Sequence, residues 1–95
     1  MQLRFARPAL ADLDAVFGYI LEQNPAAAHD MIDAIEHGLE ALRQYPRLGR
    51  DGRIAGTREL IIAGTPFIAA YRVGQDAIEV LAVIHSARRW PRKLE

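Results

Sequence analysis

Two apolar stripes with helical spacing, separated only by Asn24-Pro25, constrain the fold of this chain more than any other feature. Asparagine is a favoured N-cap and proline suits the first position of a helix, so one helix ends and the next begins at this pair. Two helices joined so tightly form an antiparallel hairpin. Because each has a single apolar stripe, the pair must pack against another layer. The apolar positions are Leu10, Leu13, Val16, Phe17, Ile20 and Leu21 in the first helix, and Ala28, Met31, Ile32, Ile35, Leu39 and Leu42 in the second.

The other layer is a sheet, predicted from four segments rich in apolar and β-branched residues. These are residues 2–6, 57–62, 67–73 and 77–85, and turn sequences at 63–66 and 74–76 join the last three. Strands with such short connections form an antiparallel meander. The predicted fold class is therefore α+β, in the order β-α-α-β-β-β, with the helical hairpin packed on one face of an antiparallel sheet. We expect residues 1–95 to form a single domain.

The composition excludes several classes of protein. The chain has 95 residues, of which 51% are hydrophobic and 25% charged, as is typical of a globular domain. It contains no cysteine, which excludes disulfides and thiolate chemistry and is compatible with a reducing compartment. No apolar run reaches the length of a membrane span, and the first residues do not resemble a signal peptide. We therefore expect a cytoplasmic protein with no membrane partner.

The net charge of zero conceals two halves of opposite sign. Residues 1–46 carry three arginines and seven acidic residues, whereas residues 47–95 carry eight arginines, one lysine and five acidic residues. Arginine makes bidentate contacts with phosphates and carboxylates, which favours a polyanion or an acidic protein segment as the partner of the second half. The alternative is that these charges only solvate the helices and strands.

The segment 45–62 links the helical half to the strand half and concentrates positive charge at turns. It contains Arg47, Arg50, Arg53 and Arg58, together with glycines at positions 49, 52 and 56. Glycine adopts positive φ at little cost because it has no Cβ, and arginines held at such a turn can bind an anion. The alternative interpretation is a solvated loop that happens to be basic.

Side-chain alternation predicts which residues share a face of the sheet. The opposite face to the helices is expected to carry Arg72 and His85, with either Arg58 or Glu59 from the first strand of the meander. The pattern does not distinguish these last two. In the last strand, one wholly apolar set is expected to contact the helices: Ile78, Val80, Ala82 and Ile84.

A face of this kind could form a metal-free site for cleaving a phosphodiester. Glu59 or His85 would act as the base on a ribose 2′-hydroxyl, and a charged His85 would act as the acid for the leaving 5′-oxygen. Arg72, Arg58 or Arg88 would stabilise the charge that develops on the phosphoryl oxygens.

Each of these residues also has a structural explanation. Arg72 and Glu79 lie on adjacent predicted strands and can form a cross-strand ion pair, and His85 at a strand end can serve as a hydrogen-bonding residue. Trp90 would either stack on a base or pack against the sheet edge. No metal or cofactor is expected, because the three histidines lack ligand spacing and no phosphate-binding glycine motif or nucleophile elbow is present.

Several short motifs occur in a specific order along the chain. They are Ala-Asp-Leu at 11–13, Asn-Pro at 24–25, Gly-Arg at 49–50, Gly-Thr-Arg-Glu-Leu at 56–60, Tyr-Arg-Val at 71–73 and His-Ser-Ala-Arg at 85–88. In this order they resemble the toxins of the RelE/ParE superfamily from bacterial type II toxin–antitoxin modules, over residues 3 to about 91. The resemblance implies the β-α-α-β-β-β fold. It also implies a co-encoded antitoxin, expected to bind the sheet, its edges and the hairpin in a toxin–antitoxin hetero-oligomer.

The resemblance implies two alternative targets. ParE-like members bind DNA gyrase and block replication without a recognised nuclease site, whereas RelE-like members cut mRNA on the ribosome. The motifs and the long hairpin are more ParE-like, and no tyrosine follows Tyr71 in the tail, where RelE-like nucleases usually carry one. We therefore expect a gyrase-binding toxin that is not an enzyme.

The competing hypothesis is a ribosome-dependent mRNA endoribonuclease with Glu59, Arg72 and His85 in its site. A third interpretation is a relative that has lost its toxicity. The tail at 86–93 is basic and is expected to contribute to target binding. The residues expected to bind the target or a nucleic acid are Arg50, Arg53, Arg58, Arg88, Arg89 and Trp90.

Overall fold

The computed structural model describes residues 1–91, so the end of the basic tail, at 92 and 93, lies outside the described residues. The predicted hairpin consists of α1 (Arg7–Gln23) and α2 (Pro25–Glu40), followed by one turn of 3₁₀-helix (Ala41–Arg43). The predicted fold class and element order are confirmed, with one addition, the two-residue β2 inside the arginine-rich segment. The strands are β1 (Gln2–Phe5), β2 (Arg50–Asp51), β3 (Arg58–Ile61), β4 (Phe67–Val73) and β5 (Ala77–His85).

Asn24 ends α1 and begins α2, as its sequence context predicts. Its side-chain Oδ1 accepts a hydrogen bond from the N–H of Ala27 (3.2 Å), and its own N–H donates to the carbonyl of Ile20 (2.8 Å). One residue therefore satisfies backbone groups at two helix ends, which lets the hairpin turn without a linker.

The two helices differ in how much of their apolar stripe is buried. α2 buries Ala28, Ile35 and Leu39 completely. In α1, Leu10 and Leu21 are exposed although the periodicity places them on the apolar stripe. The residues of α1 that contact the core are Ala9 in its first turn, which is fully buried, and Leu13 and Val16, which are partly buried.

The sheet is mixed, with the strand order β1-β5-β4-β3-β2. The neighbours from β5 to β2 are antiparallel as predicted, but β1 runs parallel to β5, with Leu3 opposite Ile78. The prediction that the sheet is antiparallel is therefore wrong for β1. Parallel neighbours need a long crossover connection, and here the helical hairpin and the meander together provide it.

A β-bulge reverses the alternation of side chains in the last part of β5. Ala70 of β4 pairs with Ala82, and the next residue, Tyr71, pairs with Val80, so Leu81 is an extra residue on β5. A shift by one residue moves every following side chain to the opposite face. The prediction that alternate residues 78–84 all contact the helices is therefore wrong beyond Val80.

Asp12 of α1 stabilises the strand beside this bulge. β1 ends at Phe5, opposite Val80, so no strand lies beside the following residues of β5 on that edge. The Oδ2 atom of Asp12 accepts a hydrogen bond from the N–H of Val83 (2.9 Å) and so satisfies a backbone donor that would otherwise lack a strand partner.

Apolar clusters lie on both sides of the sheet, which we call the helix side and the far side. The helix side contains the larger cluster: Ala9, Ile35, Leu39, Leu42, Leu60, Ile62, Phe67, Ala69, Tyr71, Ile78, Val80 and Val83. The far side contains Ala70, Leu81, Ala82 and Ile84, with Ala6, Ile54 and Trp90 packed against them. Within residues 1–91, no helix has both the length and the apolar character required to cross a bilayer.

Candidate binding site on the far side of the sheet

Glu59 organises the charged part of the far side. It pairs with Ala70 across β3 and β4, which places its side chain on the far side and Arg58 on the helix side, so the register decides between the two residues that the sequence left open. Glu59 is only 3% exposed, although it carries a carboxylate. A buried carboxylate is stable only when its oxygens are paired.

Two arginines of the predicted anion-binding segment satisfy this carboxylate. Arg50 NH2 contacts Oε1 at 3.1 Å, and Arg53 contacts Oε2 through Nε (3.0 Å) and Oε1 through NH2 (3.1 Å). The backbone N–H of Arg53 adds a fourth hydrogen bond to Oε2, at 2.8 Å. We call Arg50, Arg53 and Glu59 the carboxylate hub.

The pKa of Glu59 reflects a balance of two opposing effects. Burial removes water from the carboxylate and by itself raises the pKa. The hydrogen bonds from Arg53 and Arg50, with the charge of Arg53, outweigh burial, so the pKa of Glu59 lies below the usual glutamate value. Glu59 is therefore ionised at neutral pH, and its oxygens are occupied by donors from within the chain.

Trp90 connects the hub to the far-side apolar cluster. The guanidinium carbon of Arg53 lies 3.9 Å from the centroid of the Trp90 ring, a cation–π contact. The same side chain packs against the far-side cluster, which includes Leu81 and Ile84. Its Nε1 is buried and has no hydrogen-bond partner among residues 1–91. Trp90 therefore packs on the sheet, one of the two placements that the sequence left open.

Arg72 lies on the far side, as predicted, but it is paired. Its NH2 atom contacts Glu79 Oε1 at 2.8 Å across β4 and β5, and both side chains are about half exposed. This is the cross-strand ion pair that the sequence offered as the structural explanation for Arg72.

His85 lies on the other side of the sheet from Glu59 and Arg72, because the bulge moves it there. Its ring contacts Phe67 edge-on, with the centroids 5.4 Å apart, and its Nδ1 accepts a hydrogen bond from the N–H of Ala87 (3.1 Å). The prediction that His85 shares a face with Arg72 is therefore wrong. The structure does not bring Glu59, Arg72 and His85 together.

Tyr71 is a buried polar anchor, a role that the sequence analysis did not assign to it. Its hydroxyl accepts a hydrogen bond from the N–H of Gly49 and donates one to the carbonyl of Pro46, both at 2.8 Å. A Cβ on Gly49 would lie 2.7 Å from this hydroxyl, so glycine permits the close approach. A tyrosine within an apolar strand needs a hydrogen-bond partner for its hydroxyl, and this sequence feature could have indicated the role of Tyr71.

The environment of Tyr71 also shifts its titration. Burial raises the pKa of the Tyr71 hydroxyl, and the hydrogen bond from Gly49 and the charge of Arg58 oppose this effect only in part. The hydroxyl is therefore neutral at physiological pH and remains a hydrogen-bond donor to Pro46.

The remaining predicted binding residues fall in two places. Arg58 donates hydrogen bonds from NH1 to the carbonyls of Gly49 and Arg47, at the β2–β3 edge of the sheet. Arg88 and Arg89 follow β5, and both are exposed. Among residues 1–91, no group of three histidine, aspartate or glutamate side chains has the arrangement of a metal site.

Residues 3–90 match the family model described as ParE toxin of the type II toxin-antitoxin system parDE. The chain belongs to the ParE toxin family. It is therefore a toxin of a type II toxin–antitoxin system, as the motif order predicted, and its partner is a cognate antitoxin.

Two relatives agree with this assignment of the ParE-family toxin. A protein of Sinorhizobium fredii named "Putative toxin Y4kP" is 40% identical over 93 residues, which cover 98% of this chain and 96% of that protein. Toxin RelE2 of Caulobacter vibrioides is 34% identical over 80 residues, which cover 84% of this chain and 89% of that toxin.

The fold of the toxin agrees with a solved structure as well. A chain of the chromosomal ParDE toxin–antitoxin system from P. aeruginosa superposes with a TM-score of 0.83 at 30% sequence identity. The superposition covers 90% of this chain and 95% of the other. The helical hairpin and the five-stranded mixed sheet are thus the architecture of a ParE-type toxin.

Proposed function

We propose that this toxin acts by binding DNA gyrase and blocking its function, and that it does not cleave RNA. Gyrase is the target that the resemblance to ParE-like toxins implies. The observation that carries the proposal is the separation of the three residues that a nuclease would use. Glu59 and Arg72 lie on the far side of the sheet, whereas His85 lies on the helix side.

The bonding of the same residues also argues against acid–base catalysis. A general base must lie within hydrogen-bond reach of the proton that it removes. The Glu59 carboxylate already accepts four hydrogen bonds from Arg50 and Arg53, and its lowered pKa makes it a weaker base. The hydroxyl of Tyr71 is fully buried on the helix side of the sheet.

The surface proposed to contact gyrase is the far side and the segment after β5. Arg50 and Arg53 keep about half of their side chains exposed although both contact Glu59. Arg88 and Arg89 are exposed and make no ion pair within residues 1–91. These arginines give the surface a positive potential, which favours an acidic protein surface.

A ribosome-dependent endoribonuclease is the competing function, because one relative is named Toxin RelE2. The two functions are separated by assaying DNA supercoiling by purified gyrase beside mRNA cleavage on translating ribosomes. We expect supercoiling to stop while the mRNA stays intact. Cleaved mRNA with normal supercoiling would reject gyrase as the target, and loss of neither activity would favour a relative without toxicity.

The contact surface is tested by neutralising charge within the same assay. The variant with Arg88→Gln and Arg89→Gln should inhibit supercoiling at least about tenfold less well, because charge-assisted contacts to the target are lost. The matched control is Arg7→Gln with Arg43→Gln, which removes two exposed arginines from the start of α1 and the end of the 3₁₀-helix, outside the sheet. Equal losses in both variants would show that only overall charge matters.

For the antitoxin, we propose an apolar pocket between α1 and the ends of β4 and β5. The pocket has a volume of about 350 Å³, and Val16, Tyr19, Met31, Phe67 and His85 contribute to its walls. An amphipathic antitoxin helix would insert an apolar side chain there, as helices do in apolar grooves. This assignment agrees with the expectation that the antitoxin contacts the hairpin and the sheet.

Two exposed tyrosines provide a matched test of the antitoxin site. Tyr19 is 68% exposed at the pocket, and Tyr45 is 58% exposed in the segment after the 3₁₀-helix, outside the pocket. Tyr19→Ala should weaken antitoxin binding at least about tenfold in a titration, since aromatic anchors dominate such interfaces. Tyr45→Ala should bind normally, and unchanged affinity in the Tyr19→Ala variant would exclude this pocket.

A further inference from the structure

Two arginines of the segment 45–62 stand apart from the carboxylate hub. Arg58, one residue before Glu59, points to the opposite side of the sheet. There it lines an open pocket of about 430 Å³, together with Arg47, Gly52, Gly56 and other residues of the loop before β3. We call this the Arg47–Arg58 pocket.

The positive charge in this pocket is weakly compensated. The Arg58 side chain is only 22% exposed, and its counter-charge is Asp51, whose carboxylate is 3.8 Å away and 97% exposed. Arg47 makes no ion pair within residues 1–91. In the carboxylate hub the anion is buried between its two arginines, whereas here the anion is exposed to solvent and lies farther from its arginine. A half-buried cation with a distant, solvated partner is a place where an added anion is stabilised.

The backbone of the loop offers further donors to the same pocket. Ala55 and Gly56 line it, and their N–H groups donate no hydrogen bond within the described part of the chain. The neighbouring Thr57 donates hydrogen bonds from both its N–H and its hydroxyl to the carbonyl of Ile54, and these stabilise the turn. Gly56 adopts a positive φ of 79°, so the turn depends on glycine at this position. Free amides in such a turn form an anion-binding concavity.

We propose that the Arg47–Arg58 pocket binds the phosphate group of a nucleotide or nucleic acid. The side chains of Arg47 and Arg58 and the two loop amides supply donors from different parts of the pocket, and the tetrahedral oxygens of a phosphate accept from more directions than the two coplanar oxygens of a carboxylate. The pocket volume exceeds that of a single phosphate, which leaves room for an attached sugar. The proposal does not depend on gyrase as the target.

The direct test is an NMR titration of the full ¹⁵N-labelled chain with inorganic phosphate at constant ionic strength. The amide signals of Ala55, Gly56 and Arg58 should shift with saturation. Arg47→Gln should weaken the apparent affinity about tenfold, because a charge-assisted contact is lost. The control Arg7→Gln removes an exposed arginine at the start of α1 and should bind phosphate normally.

A second variant tests Arg58 without removing its positive charge. Arg58→Lys retains the charge but loses the planar guanidinium, whose NH1 atom donates to the carbonyls of Gly49 and Arg47. It should therefore bind phosphate more weakly, with an unchanged far side. Thermal unfolding checks that each variant is folded.

The source of the phosphate is distinguished by two further ligands. Adenosine monophosphate binding more tightly than phosphate would identify a mononucleotide site. Short duplex DNA binding more tightly, with affinity falling as salt rises, would identify a nucleic-acid contact. Equal shifts with acetate or a poly-glutamate peptide would overturn the phosphate assignment in favour of a carboxylate partner. If the amide signals of all exposed arginines shifted equally, or if those of Ala55 and Gly56 did not shift, phosphate would not bind at the Arg47–Arg58 pocket.

Discussion

The two sides of the sheet are stabilised in different ways. On the helix side, apolar residues of both helices pack against the strands, and the only polar side chain in that cluster is the tyrosine Tyr71. On the far side, a smaller apolar cluster lies beside the carboxylate hub, and Trp90 contacts both. The helix side therefore depends on burial and packing, whereas the far side depends on charge pairing.

This difference explains where function can reside. A closely packed apolar cluster tolerates little change, because each buried side chain contacts many others. The far side keeps half-exposed arginines next to a buried carboxylate, and these can contact a partner without the loss of the core. The proposed gyrase surface lies on the far side, whereas the two pockets proposed on the helix side lie at its margins, away from the fully buried residues.

The largest effect is expected from a cavity on the helix side. Leu39 is fully buried, and Leu39→Ala should lower the free energy of unfolding by about 2–5 kcal/mol. Urea denaturation measures this change. The control Leu48→Ala alters an exposed leucine and should stay within about 0.5 kcal/mol of the wild type. Comparable losses in the two variants would mean that the helix side is not the main source of stability.

The second effect tests the carboxylate hub. Glu59→Gln leaves Arg50 and Arg53 without their counter-charge. Removing one partner of a fully buried ion pair lowers the free energy of unfolding by about 3–5 kcal/mol. Because both arginines are about half exposed, we expect Glu59→Gln to lower it by about 2 kcal/mol. Glu79→Gln, which breaks the exposed pair with Arg72, should cost less than about 1 kcal/mol. A Glu59→Gln variant as stable as Glu79→Gln would remove the hub from the account of the far side.

The two sides also differ in their response to pH. The folded pKa of Glu59 is lowered, so the unfolded chain takes up a proton first as the pH falls, and stability is lost below about pH 4. The folded pKa of Tyr71 is raised, so the unfolded chain releases its proton first, and stability is lost above about pH 10.

Urea denaturation across the pH range separates these two contributions. The acid-side loss of stability should be smaller in Glu59→Gln than in the wild type, and the alkaline-side loss should be smaller in Tyr71→Phe. Glu59→Gln should keep the wild-type loss of stability at alkaline pH, and Tyr71→Phe should keep the wild-type loss at acid pH. If Glu59→Gln retained the full acid-side loss, other carboxylates would be its source.

Most of the fold could be predicted because local patterns determine it. The hairpin follows from two amphipathic stripes with Asn24 between them, and three of the strands follow from apolar runs bounded by turn residues. The parallel pairing of β1 could not be predicted, because it depends on where the chain returns after the hairpin. The bulge at Leu81 could not be predicted either, because no glycine or proline marks it.

That one bulge determined how well the site could be predicted. It moved His85 away from Arg72 and placed Ala82 and Ile84 on the far side, so the predicted open face was assembled from the wrong residues of β5. Arg50 and Arg53 were predicted to bind the target, but the pattern could not show that both already contact Glu59. Pairing across strands is a property of register, which alternation alone does not supply.

The smallest effect concerns the link between hub and cluster. Trp90→Leu keeps an apolar side chain against Leu81 and Ile84 but removes the ring that faces Arg53. In a double-mutant cycle with Arg53→Gln, the coupling free energy should be about 0.5–1 kcal/mol, the size of a partly exposed cation–π contact. The cycle with Arg72→Gln in place of Arg53→Gln provides the control and should give a coupling near zero. Because Trp90 is the residue that contacts both the hub and the cluster, coupling near zero in both cycles would mean that the far side consists of two independent parts. Coupling with Arg53 alone would mean that the charged and apolar parts of the far side stabilise each other, and that a partner binding to one alters the other.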